Sequence, residues 1–217
     1  MKLSSLFRFK RKNFDILLLI KDIFKTVESS LASEFQDSTY QWNKSKNIKQ
    51  YECFVFARFL IDYSFSVSYK DVDKNAINSF NKISEEVFVE LHDEKYSNIF
   101  SYKDLKSTIN EKYNVFTALR KENKPPECWH MIYSLLTGKD TVKEIESEVA
   151  GLKKAIKSLN KISKLNNLIV KFQNRIDDKN NEIASFDLAE ILFRRNIRSI
   201  KKQLITVNIP NYLKPKK

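Results

Sequence analysis

Residues 51–67, YECFVFARFLIDYSFSV, decide the fold of this chain. Their apolar side chains fall on every side of a helix rather than along one stripe, which is typical of a helix buried inside a protein. The stretch is too short to cross a bilayer, and Arg58 and Asp62 interrupt it. It therefore predicts the buried central helix of a helical domain, at about residues 48–68.

The composition of the whole chain favours helices. Only two glycines and four prolines occur in 217 residues, and β-turns and phosphate-binding loops depend on both residue types. Hydrophobic residues make up 42% of the chain, which is enough for a sizeable core. Cys53 and Cys128 lie in apolar helical segments, where we expect buried, reduced thiols of a cytoplasmic protein. The sequence therefore predicts an all-α fold and a cytoplasmic location.

Further helices are predicted on both sides of the central one. One precedes it, and apolar residues spaced three and four positions apart mark the others. Asp73 and Ser101 are placed to cap a third and a fourth helix. Gly138 suits the end of a fifth, which covers residues 127–137. Residues 1–138 therefore predict a five-helix bundle around the central helix.

A different pattern begins after residue 138. Thr141 and Glu144 have the spacing of a capping box, which marks a helix start. From Ile145 to Ile176, apolar residues then return about every 3.4 positions, close to the 3.5-residue repeat of a coiled coil. We therefore expect one long helix that supercoils with a partner helix.

The partner helix is expected to follow directly in the chain. The turn-forming residues 177–181, DDKNN, interrupt the apolar pattern, which then resumes. Residues 139–217 therefore predict an antiparallel coiled-coil hairpin with arms at about 141–176 and 182–206, followed by a short extended tail.

The net charge of +12 is concentrated on this hairpin. Residues 1–138 carry 21 basic and 18 acidic side chains, whereas residues 139–217 carry 18 and 9. Lysine outnumbers arginine by 31 to 8, and this bias, together with 19 Asn and 21 Ile, is typical of AT-rich codon usage. The basic residues predicted to bind a partner or phosphate groups are Lys153, Lys154, Lys157, Lys161, Lys164, Lys171, Arg175, Arg194, Arg195, Arg198, Lys201 and Lys202.

A basic hairpin predicts a non-enzymatic adaptor or assembly subunit that docks a partner protein or a second copy of the chain. The alternative is a sequence-independent nucleic-acid-binding protein that uses the lysine ridge. The preference for lysine and the near absence of aromatic residues among these cations count against that alternative. Residues 1–12 are also basic, and contact of this arm with a membrane surface is less expected than a flexible or docked terminus.

No catalytic motif is present. Two glycines cannot supply a dinucleotide-binding fingerprint, a P-loop or a nucleophile elbow. Glu127 and His130 have the Glu-x-x-His spacing of di-iron bundles, but the second copy that such a site needs is missing. We therefore expect no enzyme activity, no cofactor and no metal site.

Arg58 and Asp62 stand four residues apart in the most apolar segment, so they share one face of a helix. Charges in such a place must be paired, and the spacing predicts a buried ion pair. A third and weaker hypothesis makes this pair part of an enzyme accessory site, formed by Arg58, Asp62, Glu127 and His130.

Overall fold

A computed structural model describes residues 15–37, 46–69, 72–98, 101–124, 126–160, 165–209 and 213 of the chain. These residues form helices and no strand, so the predicted all-α fold is confirmed. None of the described helices is long and apolar enough to span a membrane. In chain order the helices are α1 (Ile16–Asp37), α2 (Lys46–Ser68), α3 (Lys74–Tyr96), α4 (Tyr102–Glu122), α5 (Glu127–Thr137), α6 (Val142–Leu159) and α7 (Asn166–Val207).

The helix α2 is the centre of the bundle. It packs against α1, α3, α4, α5 and α7, and every residue from Tyr51 to Asp62 is buried. Its Phe56 ring meets Phe116 of α4 and Phe193 of α7, with centroids 5.2 Å and 4.8 Å apart. A helix with neighbours all round has no solvent side, which explains why its apolar residues show no single stripe.

Local signals start and end the flanking helices as the sequence predicts. The Asp73 carboxylate accepts a hydrogen bond of 3.2 Å from the backbone N–H two residues on, at the start of α3. Gly138 has a φ of 68° and ends α5 in the left-handed conformation that glycine favours. Thr141 and Glu144 form a complete capping box at the start of α6. Ser101 occupies the N-cap of α4 but makes no side-chain cap hydrogen bond.

The C-terminal helices turn at a different place from the one predicted. The helix α6 ends at Leu159, and α7 continues without a break from Asn166 to Val207. The predicted arms at 141–176 and 182–206 are therefore wrong. Ion pairs of Glu148 with Arg175 and of Asp140 with Lys179 show that α6 lies antiparallel to the first half of α7. Coiled-coil winding of this shorter pair stays a prediction.

The end of α6 coincides with a fault in the apolar repeat. Ile156, Leu159, Ile162 and Leu165 follow one another at steps of three, which drops one residue from the heptad. Such a fault can overwind a continuous helix. Instead the helix ends at Leu159, because a stripe that rotates away from its partner no longer gains from packing.

Residues 177–181, where a turn was predicted, are helical because Lys179 contacts three carboxylates. The Lys179 Nζ lies 3.1 Å from a Glu182 oxygen, 3.3 Å from Glu148 and 4.0 Å from Asp140. Asp and Asn are only weakly unfavourable in a helix interior. Contacts with α6 outweigh that preference, and α7 runs through the segment.

The second half of α7 belongs to the bundle core. Phe186, Phe193 and Leu204 are buried in the same hydrophobic cluster as residues of α1 and α2. The Tyr69 hydroxyl donates a hydrogen bond of 2.8 Å to the backbone oxygen of Leu204. The division into domains after residue 138 stays a prediction, and the core cluster draws residues from both sides of it.

The described residues at the end of α7 differ from the extended tail that the sequence predicts. Thr206 and Val207 are still helical, Asn208 has a φ of 53°, and Ile209 is buried. Of the residues that follow, the structure describes only Leu213. The basic arm of residues 1–12 also lies outside the described residues.

Candidate functional site

The first group of predicted binding residues is divided between two helices. Lys153, Lys154 and Lys157 lie on α6, whereas Lys171 and Arg175 lie on the antiparallel α7. All five are exposed. The lysine ridge is therefore divided between two antiparallel helices, because the chain turns between these residues.

Two members of the first group lie outside the described residues, and a third, Arg175, has an acidic partner. Lys161 and Lys164 fall in the segment that joins α6 to α7, which the structure does not describe. The Arg175 guanidinium lies 2.5 Å from the carboxylate of Glu148 on α6. Arg175 therefore helps to join the two helices.

The second group of predicted binding residues lies on the second half of α7. Arg194, Arg195, Arg198 and Lys202 are exposed, and Lys201 is half-buried. Arg194 lies 2.6 Å from Glu190. Among the described side chains, no carboxylate lies within ion-pair distance of Arg195, Arg198 or Lys202. These three cations face solvent.

Large apolar side chains flank these cations on both sides along the helix. Leu188 is 67% exposed, Ile191 62% and Ile205 54%. At 100° per residue, they share a sector of roughly 100° with three of the cations, on the side of α7 opposite its buried residues. We call this surface the α7 face, and its residues are Leu188, Ile191, Arg195, Arg198, Lys202 and Ile205.

The sequence does not predict the apolar part of the α7 face. The apolar series through Phe186 and Phe193 forms the buried side of the helix. A second series, Leu188 and Ile191, is also visible in the sequence. Only the packing of the helix shows which of the two series is buried.

A polar cluster lies inside the core around α2. The Arg58 Nε lies 3.7 Å from the Asp62 Oδ2, and a terminal nitrogen of Arg58 lies 3.6 Å from Glu85 of α3. The Tyr113 hydroxyl donates a hydrogen bond of 3.0 Å to the same Asp62 oxygen. The Arg58 guanidinium also lies 5.4 Å from the ring centroids of both Phe88 and Tyr113. The hypothesised ion pair is thus present, with Glu85 as a third member.

Burial changes the acidity of this cluster. Loss of solvent raises the pKa of Asp62 to about 6, against the opposing effect of the Arg58 charge. Burial, followed by the nearby Asp62 charge, raises the pKa of the Tyr113 hydroxyl. Asp62 also lines a cleft of about 480 Å³. Raised pKa values occur both in functional sites and in structural ion-pair networks, and Asp62 has an ion-pair partner in Arg58 as well as a place in the cleft lining.

The helices α5 and α7 bring a histidine and two carboxylates together. The His130 Nε2 lies 3.3 Å from the Asp187 Oδ1 and 3.6 Å from the Glu190 Oε2. One ligand atom from each of the three residues lies within 4.8 Å of the other two, and no other such group was found in the described part of the chain. Glu127 instead pairs with Lys143 at 2.7 Å.

The hypothesised accessory site of four residues does not assemble. Asp62 lines one cleft, whereas Glu127 and His130 line a separate one of about 280 Å³. Asp187 and Glu190 were missed because they lie far from His130 in the sequence. Their spacing of three residues was a visible signal, but only the antiparallel packing of α5 on α7 reveals its partner.

Comparison of the chain with protein families, with characterised protein sequences and with solved structures gives no match. A functional inference therefore depends on the chain's own residues.

Proposed function

We propose that this protein is a non-enzymatic helical docking subunit that binds an acidic amphipathic helix of a partner protein through the α7 face. The observation that supports this proposal is that exposed Leu188, Ile191 and Ile205 flank the cations Arg195, Arg198 and Lys202 along one side of α7. No acidic residue occurs between Ile191 and Val207.

The two kinds of residue on the α7 face favour a partner with two properties. Apolar surface that leaves water on binding contributes about 25 cal/mol per Å². Unpaired arginine and lysine side chains favour a carboxylate-bearing partner and steer its approach. A helix that carries leucine-like residues on one side and glutamates beside them satisfies both requirements.

The α7 face is held in place before any partner binds. Phe193, Ile200 and Leu204 on the opposite side of the helix are buried in the core. Binding to a preformed surface avoids much of the cost of ordering loops and side chains. From Leu188 to Ile205 the face is about 26 Å long at 1.5 Å per residue, which matches a partner helix of four to five turns.

A partner protein accounts for the α7 face better than either of the other predicted partners. A nucleic acid would use the cations, but its phosphates gain nothing from exposed leucine and isoleucine. A second copy would offer the acidic side of α3. There, Glu90 and Glu94 already pair with Lys21 at 2.7 Å and 2.6 Å, so they complement α7 poorly.

The test uses a synthetic leucine- and glutamate-rich amphipathic helix as the probe, with fluorescence anisotropy as the measurement. We expect the full chain to bind it, and the double variants Leu188→Ser/Ile191→Ser and Arg195→Glu/Arg198→Glu each to bind at least tenfold more weakly. The control is Lys153→Glu/Lys157→Glu, which reverses two exposed cations on α6 and should change affinity less than twofold.

Three results would overturn the proposal. The first is absence of peptide binding. The second is tighter binding of mixed-sequence RNA or DNA that the Leu188→Ser/Ile191→Ser variant retains. The third is a dimer in light scattering that Arg195→Glu/Arg198→Glu abolishes. The last two would identify a nucleic acid or a second copy as the partner.

A further inference from the structure

We propose that His130, Asp187 and Glu190 form a binding site for a divalent transition-metal ion of the Zn²⁺ class. One imidazole nitrogen and two carboxylate oxygens are a common ligand set for such ions. The inference is independent of the docking function, because His130 lies on α5 and none of the three residues belongs to the α7 face.

The distances match those between ligands of one ion. Zinc binds nitrogen and oxygen at about 2.0–2.2 Å, so neighbouring ligand atoms of a tetrahedral site lie about 3.3–3.6 Å apart. The His130 Nε2 lies 3.3 Å from the Asp187 Oδ1 and 3.6 Å from the Glu190 Oε2. The two carboxylate oxygens lie within 4.8 Å of each other. A small side-chain rotation brings them to the separation expected for two ligands of one ion.

The direction of the imidazole nitrogen also fits a metal ligand. The His130 Nε2 is buried, yet it makes no hydrogen bond to any described group, although the Asp187 oxygen is only 3.3 Å away. That oxygen is close but out of line with the ring nitrogen. In a tetrahedral site, the other ligands lie about 35° away from the nitrogen-to-metal direction, which is poor geometry for a hydrogen bond.

Neighbouring side chains hold the ligands in position. The ring of Phe186, which is fully buried, packs edge-on against the His130 ring, with centroids 5.8 Å apart at 78°. The Arg194 guanidinium lies 2.6 Å from the Oε1 of Glu190, and the Oε2 of the same carboxylate faces His130. Contacts of this kind, from side chains that do not bind the metal themselves, orient the ligands in known metal sites. Asp187 and Glu190 stand one helical turn apart, so both project toward α5.

Neither Cys53 nor Cys128 belongs to the group of possible ligands around His130. With three protein ligands, one coordination position remains for water or an exogenous ligand.

The experiment is a titration of the untagged full chain with Co²⁺, followed by visible absorption, with Zn²⁺ as the competitor. We expect one equivalent to bind with the d–d bands of a four- or five-coordinate site and without a cobalt–thiolate charge-transfer band. His130→Gln and Asp187→Asn should each weaken binding at least tenfold. Glu127→Gln is the matched control on α5, where its carboxylate pairs with Lys143 instead, and it should bind as the parent chain does.

Thermal unfolding with and without Zn²⁺ gives an independent reading, since an ion that binds only the folded state raises the melting temperature. The rise should be present in the parent chain and in Glu127→Gln but lost in His130→Gln, and circular dichroism checks that each variant folds. Absence of one-equivalent binding, or equal binding by His130→Gln, would overturn the site. The three residues would then be an imidazole–carboxylate contact only.

Discussion

The helices α2 and α7 are buried in different ways. In α2, all residues from Tyr51 to Asp62 are buried, because five other helices surround it. In α7, which has 42 residues, the first half packs on α6, and the second half places one side in the core and the other in solvent. One helix is enclosed, and the other is shared between the core and the surface.

This difference in burial determines what a charged or an apolar residue indicates in each helix. Inside α2 a charge needs a partner, and Arg58 has Asp62 and Glu85. On the outer side of α7, folding imposes little constraint, so leucine and isoleucine there have no role in the core. Exposed Leu188 and Ile191 should therefore contribute little to stability, whereas buried Phe54 and Phe56 contribute much.

The largest effect is expected from truncation of a ring in α2. Phe56→Ala removes a fully buried side chain that contacts Phe116 and Phe193. It should lower the free energy of unfolding by about 3–5 kcal/mol. Leu188→Ala on α7 is the comparison, and it should change stability by less than about 0.5 kcal/mol. Urea unfolding measures both, and comparable losses would contradict the difference in burial.

A smaller effect is expected when the cation of the buried cluster is removed. Arg58→Met leaves Asp62 and Glu85 without their shared partner and should cost about 3 kcal/mol at pH 7. Arg195→Met, on the α7 face, should cost less than about 0.5 kcal/mol. Chemical denaturation at pH 7 compares the two variants. A loss for Arg195→Met as large as that for Arg58→Met would show that α7 is not exposed as described.

The pH dependence of stability should separate the two helices further. Burial raises the folded-state pKa of Asp62 to about 6, whereas its unfolded pKa is near the ordinary value of about 3.9. The proton is thus bound more tightly in the folded state. This contribution to stability is complete below pH 4 and is lost as the pH rises through 6.

Asp62→Asn should remove that dependence. Relative to this variant, the parent chain should lose on the order of 2 kcal/mol of unfolding free energy between pH 4 and pH 7. Denaturant unfolding at a series of pH values measures the difference. Asp178→Asn, on the exposed side of α7, is the control and should follow the parent curve. Parallel curves for Asp62→Asn and the parent would mean that Asp62 titrates normally.

The smallest effect is expected in the first half of α7, which packs on α6. Lys179→Met breaks the contact to Glu148 on α6 and the contact to Glu182 within α7. We expect a loss on the order of 1 kcal/mol and faster amide exchange at residues 177–181, where a turn was predicted. Lys171→Met removes an exposed lysine from the same half of α7 and should leave exchange there unchanged. Unchanged exchange in both variants would show that this segment is helical without Lys179.

Local sequence signals determined most of the helices and the centre of the bundle. The apolar residues on every side of α2 predicted its burial, and the caps at Asp73, Gly138 and Thr141 lie where the sequence placed them. These features depend on neighbours in the chain or on solvent exclusion, both of which are visible in a single sequence.

Tertiary structure alone decided that residues 177–181 are helical, which side of α7 is exposed and which residues meet at His130. Ion pairs of Lys179 with Asp140 and with Glu148 of α6 override the weak preferences of DDKNN. Asp187 and Glu190 meet His130 only because α5 packs antiparallel to α7, with Trp129 against Phe193 and Tyr133 against Phe186. Such contacts join residues distant in sequence, and their energies depend on packing geometry that no local pattern records.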